Sequence, residues 1–248
     1  MYDVSTRKRA LALVTQGRGL NSVSRQTGIS RAAIRSWQQR IEPLPRISSP
    51  DHGPPADDRA YAYLLGLYLG DGCISAHPRG SGYYLRIACA DAWPGLIQEC
   101  REAIAKVRPG IGVYALQKEG YKMVTSYSRH WTSLFPQHGC GKKHERSITL
   151  APWQQAIVDA HPWEFIRGLI HSDGCRITNW TTRLVAGERK RYEYPRYFFT
   201  NLSGDIIRLF TDTLDRVGVD WKWANSHNIS IARRASVALM DTHVGPKH

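Results

Sequence analysis

The sequence has no long apolar run. Its longest, residues 60–70, covers eleven positions and stops at Asp71, well short of the ~20 that a membrane-spanning helix needs. Cysteine is scarce and odd in number, five residues at irregular spacing, which excludes a disulfide framework. The first residues carry charge instead of an apolar stretch with a small-residue cleavage site. No secretory leader is therefore expected, and the chain is expected to be cytoplasmic and reduced. Acidic side chains are in deficit, 21 against 34 Lys and Arg, for a net charge of +13. With 42% hydrophobic residues the chain has enough apolar surface to fold, so this excess belongs to folded surface. It is uneven: residues 1–40 hold eight basic side chains against one acidic, and residues 59–147 twelve against six. Arginine supplies 25 of the 34, and its planar fork suits phosphate and guanine. A polyanionic partner is implied.

Proline and glycine divide the chain. Residues 41–58 contain Pro43, Pro45, Pro50, Pro54, Pro55 and Gly53, a composition that reads as an extended linker. Before it lies a head of residues 1–40, and after it a body that repeats itself. The segment Tyr63-Leu-Leu-Gly-Leu-Tyr-Leu-Gly-Asp-Gly-Cys-Ile74 matches Phe165-Ile-Arg-Gly-Leu-Ile-His-Ser-Asp-Gly-Cys-Arg176 at an offset of 102. Alternation and helical periodicity then predict one order twice. The first half, residues 59–147, reads as strands 73–77 and 83–90, helix 92–107, strands 111–118 and 121–128, and helix 130–135. The second, 148–248, reads as a connecting helix 152–160, strands 175–185 and 195–202, helix 205–217, strands 219–224 and 228–233, and helix 235–242. The expected class is α+β: two tandem αββαββα repeats with pseudo-twofold symmetry behind a small all-α head.

The head reads as a helix-turn-helix. Val23, Ile29, Ile34 and Trp37 recur where two crossing helices bury apolar side chains, and an earlier helix near 6–16 adds Leu11, Leu13 and Val14. Gly28 stands at the turn and Ser30 at a helix start. With the last helix in a major groove, Arg31, Ala32, Arg35, Ser36 and Gln39 face bases or phosphates. A solvated protein-interaction module is the plainer alternative.

Each repeated helix ends on Asp-Gly, at Asp71-Gly72 and Asp173-Gly174. Glycine suits the helix end, but a carboxylate beside the negative pole of a helix is unfavourable by several tenths of a kcal/mol. Small residues at Gly66, Gly70, Gly168 and Ser172 let the two helices approach closely. Two carboxylates and several free carbonyls then share one place, and a hard divalent cation such as Mg²⁺ relieves the repulsion.

The doubled motif resembles the two signature helices of a monomeric LAGLIDADG homing endonuclease, over residues 59–248. The resemblance implies a monomer that binds double-stranded DNA, has no membrane partner, and uses Mg²⁺ or Mn²⁺ to cut both strands. It assigns metal binding to Asp71, Asp173 and the carbonyls of Gly70 and Ser172. A basic residue after the last short helix of each half has a catalytic role there; Lys142 or Lys143, and Lys247, hold that place. Asn201 matches a polar residue that supports the site, whereas the first half has only Ala88 or Cys89. His171-Ser172 departs from the family pattern, a change expected to weaken the helix interface. Duplex contacts are expected from Ser75, His77, Arg79, Arg86, Lys118, Lys122 and Ser126 in one sheet. Arg176, Thr178, Arg183, Arg196, Thr200, Lys222 and Arg233 serve the other. A zinc site at His138, Cys140 and His144 is not expected, for want of a second cysteine pair. The alternative class is a DNA-binding transcription regulator whose LAGLIDADG body has lost catalysis; an RNA-binding maturase is a third.

Overall fold

A computed structural model describes residues 2–42, 53–78, 80–245 and 247–248. The chain divides into two compact units, Met1–Gly53 and Pro54–His248. Most of the expected linker, residues 43–52, lies outside the described residues, as does Arg79. The end of that stretch belongs to the body, where the Ala56 N–H donates to Val107 O at 3.1 Å.

The head is three helices, α1 (Val4–Thr15), α2 (Leu20–Thr27) and α3 (Arg31–Gln39). Val23, Ile29, Ile34 and Trp37 are buried together with Ala10. Gly28 ends α2 at φ 70°, a left-handed conformation that favours glycine. The Ser30 hydroxyl accepts from the Ala33 N–H at 3.3 Å and starts α3, as an N-cap serine does.

The body follows the doubled order. Its first half contains α4 (Asp58–Asp71), β1 (Gly72–Ala76), β2 (Tyr83–Ala90), α5 (Pro94–Val107), β3 (Val113–Lys118), β4 (Tyr121–Ser128) and α6 (Trp131–Leu134). A connecting helix α7 (Pro152–Ala160) leads to α8 (Pro162–Asp173), β5 (Gly174–Val185), β6 (Glu188–Thr200), α9 (Gly204–Arg216), β7 (Lys222–Asn225), β8 (Asn228–Ile231) and α10 (Arg234–His243). Each half forms a four-stranded antiparallel sheet of one order, β1-β2-β4-β3 and β5-β6-β8-β7. The helices cover one face of the sheets, and one core runs through both halves from Ala60 to Val244.

Helix α4 is apolar all round and buried from Ala60 to Leu69, which fits a helix enclosed on every side. Its close partner is α8. A Cβ added at Gly66 would stand 2.6 Å from Phe165 O and 2.7 Å from Leu169 N, and one at Gly168 would collide with Tyr63 O. Here the two backbones touch, and no side chain fits between them. Gly168→Val is therefore expected to cost about 3 kcal/mol or more, at the upper end of overpacking. Urea unfolding measures it; a loss under about 1 kcal/mol, the size of an ordinary substitution, would mean the helices have room to separate.

The largest departure from expectation is β6. It begins at Glu188 rather than at 195, and pairs with β5 down to Val185↔Glu188 across a tight turn at Ala186 (φ 52°) and Gly187 (φ 84°). The stretch Glu188-Arg-Lys-Arg-Tyr-Glu193 has no apolar alternation, because neither of its faces packs on a core, so period two left no trace there.

Candidate active site at the paired helix ends

The carboxyl ends of α4 and α8 meet. A Cβ at Gly70 would fall 3.0 Å from the Asp173 carboxylate and onto the Ser172 side chain. The sheets continue directly from these ends, at Gly72 and Gly174. Asp173 Oδ2 accepts from Asn201 Nδ2 at 2.6 Å. No described residue gives Asp71 such a bond. By register, Gly72 opposes Ile87 and Gly174 opposes Phe199, so Cys89 holds the position that Asn201 holds in the other half. Cys89 is a buried free thiol, as is Cys100.

Two lysines complete the group. Lys143 Nζ donates to Tyr68 O (2.5 Å), Leu69 O (3.0 Å) and Gly70 O (2.8 Å), three open carbonyls of the α4 terminus. Lys247 Nζ donates to Ser172 O at 3.1 Å, at the end of α8. An ammonium at a helix C-terminus answers the negative pole. Of the two adjacent lysines left open by the sequence, Lys143 is the one brought to the helix end. Lys142 turns outward and faces Glu145 at 3.7 Å.

Burial, then the charge of Asp71, pushes the Asp173 carboxyl up to about 6, against the opposing pull of Asn201, Lys143 and Lys247. Asp71 is raised too, by loss of hydration, with Lys247 and Lys143 opposing. Burial brings Lys143 down to about 8, although Asp173 and Asp71 favour its charge. The pair is thus under electrostatic load. Because Asp173 titrates above an unfolded aspartate (~3.9), the native state holds more protons between pH 4 and 6. Without metal, stability falls as pH rises through that window and stays reduced above it. In EDTA, Asp173→Asn is expected to stabilise the protein at pH 7.5 by about 1–2 kcal/mol, discounted for partial exposure. It should also flatten the pH dependence. Identical urea-unfolding curves for the two proteins at pH 5 and 7.5 would show that the charge is already relieved.

Among the described residues no three His, Cys, Asp or Glu side chains gather to hold a metal. The donors that fit a divalent ion are the two carboxylates with the carbonyls of Gly70 and Ser172, an all-oxygen set suited to a hard cation. A cleft of about 550 Å³ opens beside them, lined by Gly70, Lys143, His144, Asp173, Thr200 and Asn201 among others.

No protein-family description and no curated protein matches the chain in sequence. Solved structures do match in shape. A mesophilic variant of the homing endonuclease I-DmoI superposes with a TM-score of 0.51 at 16% identity, over 75% of this chain and 90% of that one. The body has the two-repeat LAGLIDADG fold. The LAGLIDADG meganuclease I-AabMI, bound to uncleaved DNA, gives 0.45 at 10% identity over 74% and 83% of the two chains. The N-terminal LAGLIDADG domain of DUF199/WhiA gives 0.45 at 8% over 82% and 86%.

In the LAGLIDADG body, the sheet face turned from the helices carries part of the expected contact set. In the first sheet Ser75, His77 and Arg86 share that face with Tyr84 and Tyr127, and Lys118 lies on it. Lys122 and Ser126 are corrections. The two-residue turn pairs Lys118 with Tyr121 and Gln117 with Lys122, so Lys118 and Lys122 face opposite ways. Ser126 is buried and donates to Gly112 O at 2.8 Å. In the second sheet Arg183, Arg196, Thr200 and Lys222 lie on the outer face, by their register with Phe198. Arg176 and Thr178 share the face of Gly174, toward the helices, and Arg176 forms a two-pronged bond with Asp241 at 2.6 and 2.8 Å. Arg233 precedes α10, off the strands, and pairs with Asp220 at 2.9 Å. In the head Arg31, Ala32, Arg35, Ser36 and Gln39 are exposed along α3.

In the sequence His171 is marked only as a departure in the second repeated helix. It is buried between the halves, with Nδ1 3.0 Å from the Tyr63 hydroxyl and 3.6 Å from Glu99. Burial, followed by the charges of Arg167, Lys247 and His248, lowers its pKa to about 3. It is a neutral ring in the interface of the two helices, in contact with Tyr63.

Proposed function

We propose that this chain is a divalent-metal-dependent DNA endonuclease, acting as a monomer on a long asymmetric duplex that its helix-turn-helix head also binds. The observation that carries this reading is the meeting of Asp71, Asp173, Lys143 and Lys247 at two helix ends. Two carboxylates side by side there, Asp71 exposed and Asp173 half-buried, with Asp173 raised to about 6, are costly to ionise together unless a cation is to be held. Asp71, Asp173, Gly70 O and Ser172 O would hold Mg²⁺ or Mn²⁺. Such an ion supplies Lewis acidity toward a phosphodiester and lowers the pKa of water.

The chain's own residues do the rest. Lys143, with its pKa near 8, is mostly protonated at neutral pH and sets positive charge where a pentavalent phosphate gathers negative charge. Lys247 does so in the other half. Asn201 fixes the Asp173 carboxylate by its 2.6 Å bond. The outer sheet faces, with Arg86, Lys118, Arg183, Arg196 and Lys222, position the phosphate backbone. The shared fold with a homing endonuclease agrees with this reading, as does the +13 charge.

Incubating the protein with a plasmid carrying the DNA that flanks its own coding sequence tests the proposal. Linear product is expected with Mg²⁺ or Mn²⁺ and none with EDTA. Specific binding without cleavage under every metal condition would favour the regulator instead.

A further inference from the structure

The two repeats differ most in one hairpin. In the first half the β1–β2 ladder runs from Gly72↔Ile87 to Ala76↔Tyr83, and β4 backs the whole of β2. In the second half β8 pairs only with Tyr197–Thr200, yet β5 and β6 stay paired nine positions further, from Ile177↔Arg196 to Val185↔Glu188. Pro195, which lacks an N–H, stands two positions beyond Tyr197, the last residue that β8 backs. At about 3.3 Å per residue this unbacked ribbon is about 30 Å long, close to one turn of B-DNA.

Its two faces differ in chemistry. The face continuous with the outer sheet surface carries Arg183, Lys190 and Arg196 with Thr181, Tyr192 and Tyr194, and a single acid, Glu188, at the tip. The opposite face carries Trp180 and Leu184, 58% and 72% exposed, with Arg189 beside Leu184 and Arg191 over the Trp180 ring at 4.9 Å and paired to Glu193 at 2.7 Å. Two hydrogen-bonded strands with both edges free would invite pairing with other chains; the basic side chains oppose that and favour a polyanion.

We infer that the β5–β6 arm is a second-half extension of the DNA-reading surface, laying its Arg183–Lys190–Tyr192–Arg196 face in the groove beyond the point that the sheet reaches. The major groove admits a two-stranded ribbon, and the strong twist of an isolated pair follows its curvature. Because the first half has no such arm among its described residues, the target is longer on the side of the second repeat by about one helical turn. This rests on the endonuclease reading above.

Two variants that remove equal charge from opposite faces test it: Arg183→Ala with Lys190→Ala, and Arg189→Ala with Arg191→Ala. Duplexes recovered by the wild-type chain from a random-sequence pool are footprinted with hydroxyl radicals in Ca²⁺. Wild type should protect one flank further from the cut positions than the other. R183A/K190A should lose that flank alone, bind about 10- to 100-fold more weakly and show a salt slope lower by about 1.8, at 0.9 per phosphate. R189A/R191A should keep the flank. Equal losses in both variants, a loss confined to R189A/R191A, or a wild-type footprint unchanged in R183A/K190A would overturn the arm while leaving the nuclease intact. A wild-type chain that enriches no duplex would overturn the endonuclease reading itself, and the arm with it.

Discussion

Replacing Asp71 or Asp173 by asparagine is expected to abolish double-strand cleavage while leaving specific DNA binding within a few-fold of wild type. Among the described residues, these two are the only acidic side chains brought to the joined ends of α4 and α8. Losing one removes a charged oxygen donor, and several kcal/mol of transition-state stabilisation corresponds to ~10³-fold or more in rate. On this reading affinity for the duplex comes from elsewhere, from exposed Lys and Arg side chains on the sheets and the head and their release of counterions. In EDTA the variants should bind slightly tighter, since one negative charge has left a surface facing phosphate. The halves are not equivalent: Asn201 holds Asp173, whereas Asp71 has Cys89 at the matching place. Time courses on supercoiled plasmid, resolving nicked from linear product, report both effects. A doubly substituted D71N/D173N protein that cuts at the wild-type rate would remove the helix ends from the chemistry.

Removing the head is expected to produce the second large effect, on affinity and not on the position of the cut. Met1–Gly53 and Pro54–His248 are separate compact units with separate cores, so a chain beginning at Pro54 should fold. If the head reads DNA, its removal takes away a linked module and weakens binding by ~10²–10⁴-fold. The salt slope should fall by about 0.9 for each phosphate that exposed Lys8, Arg9, Arg25, Arg31 and Arg35 no longer neutralise. Arg7 is not among them. It is buried, donates to Tyr2 O and Ile41 O at 3.2 and 3.0 Å and lies over the Trp37 ring, so it holds the head together. Footprints should shorten at one flank while cleavage products stay the same. Unchanged affinity and salt slope in the truncated protein would mean that the head binds something other than DNA.

The sequence by itself determined the plan of this protein. Local signals sufficed for the helices of the head, with the turn glycine Gly28 and the cap Ser30. They sufficed too for the doubled order of elements and for the two aspartates closing apolar, glycine-bearing helices. Each rests on spacing along the chain, which one sequence carries in full. Tertiary structure decided what depends on register and on which ends meet. Lys143 rather than Lys142 reaches the α4 carbonyls because the loop after α6 presents one of two neighbours, and composition does not distinguish them. Lys122, Ser126, Arg176 and Thr178 turned to the opposite face, because period two fixes a side chain's face only once its strand's pairing is known. Arg176 and Arg233 were claimed by Asp241 and Asp220, partners 65 and 13 positions away in sequence. The long β5–β6 ribbon stayed hidden because, without a core beside it, alternation is not required of its residues.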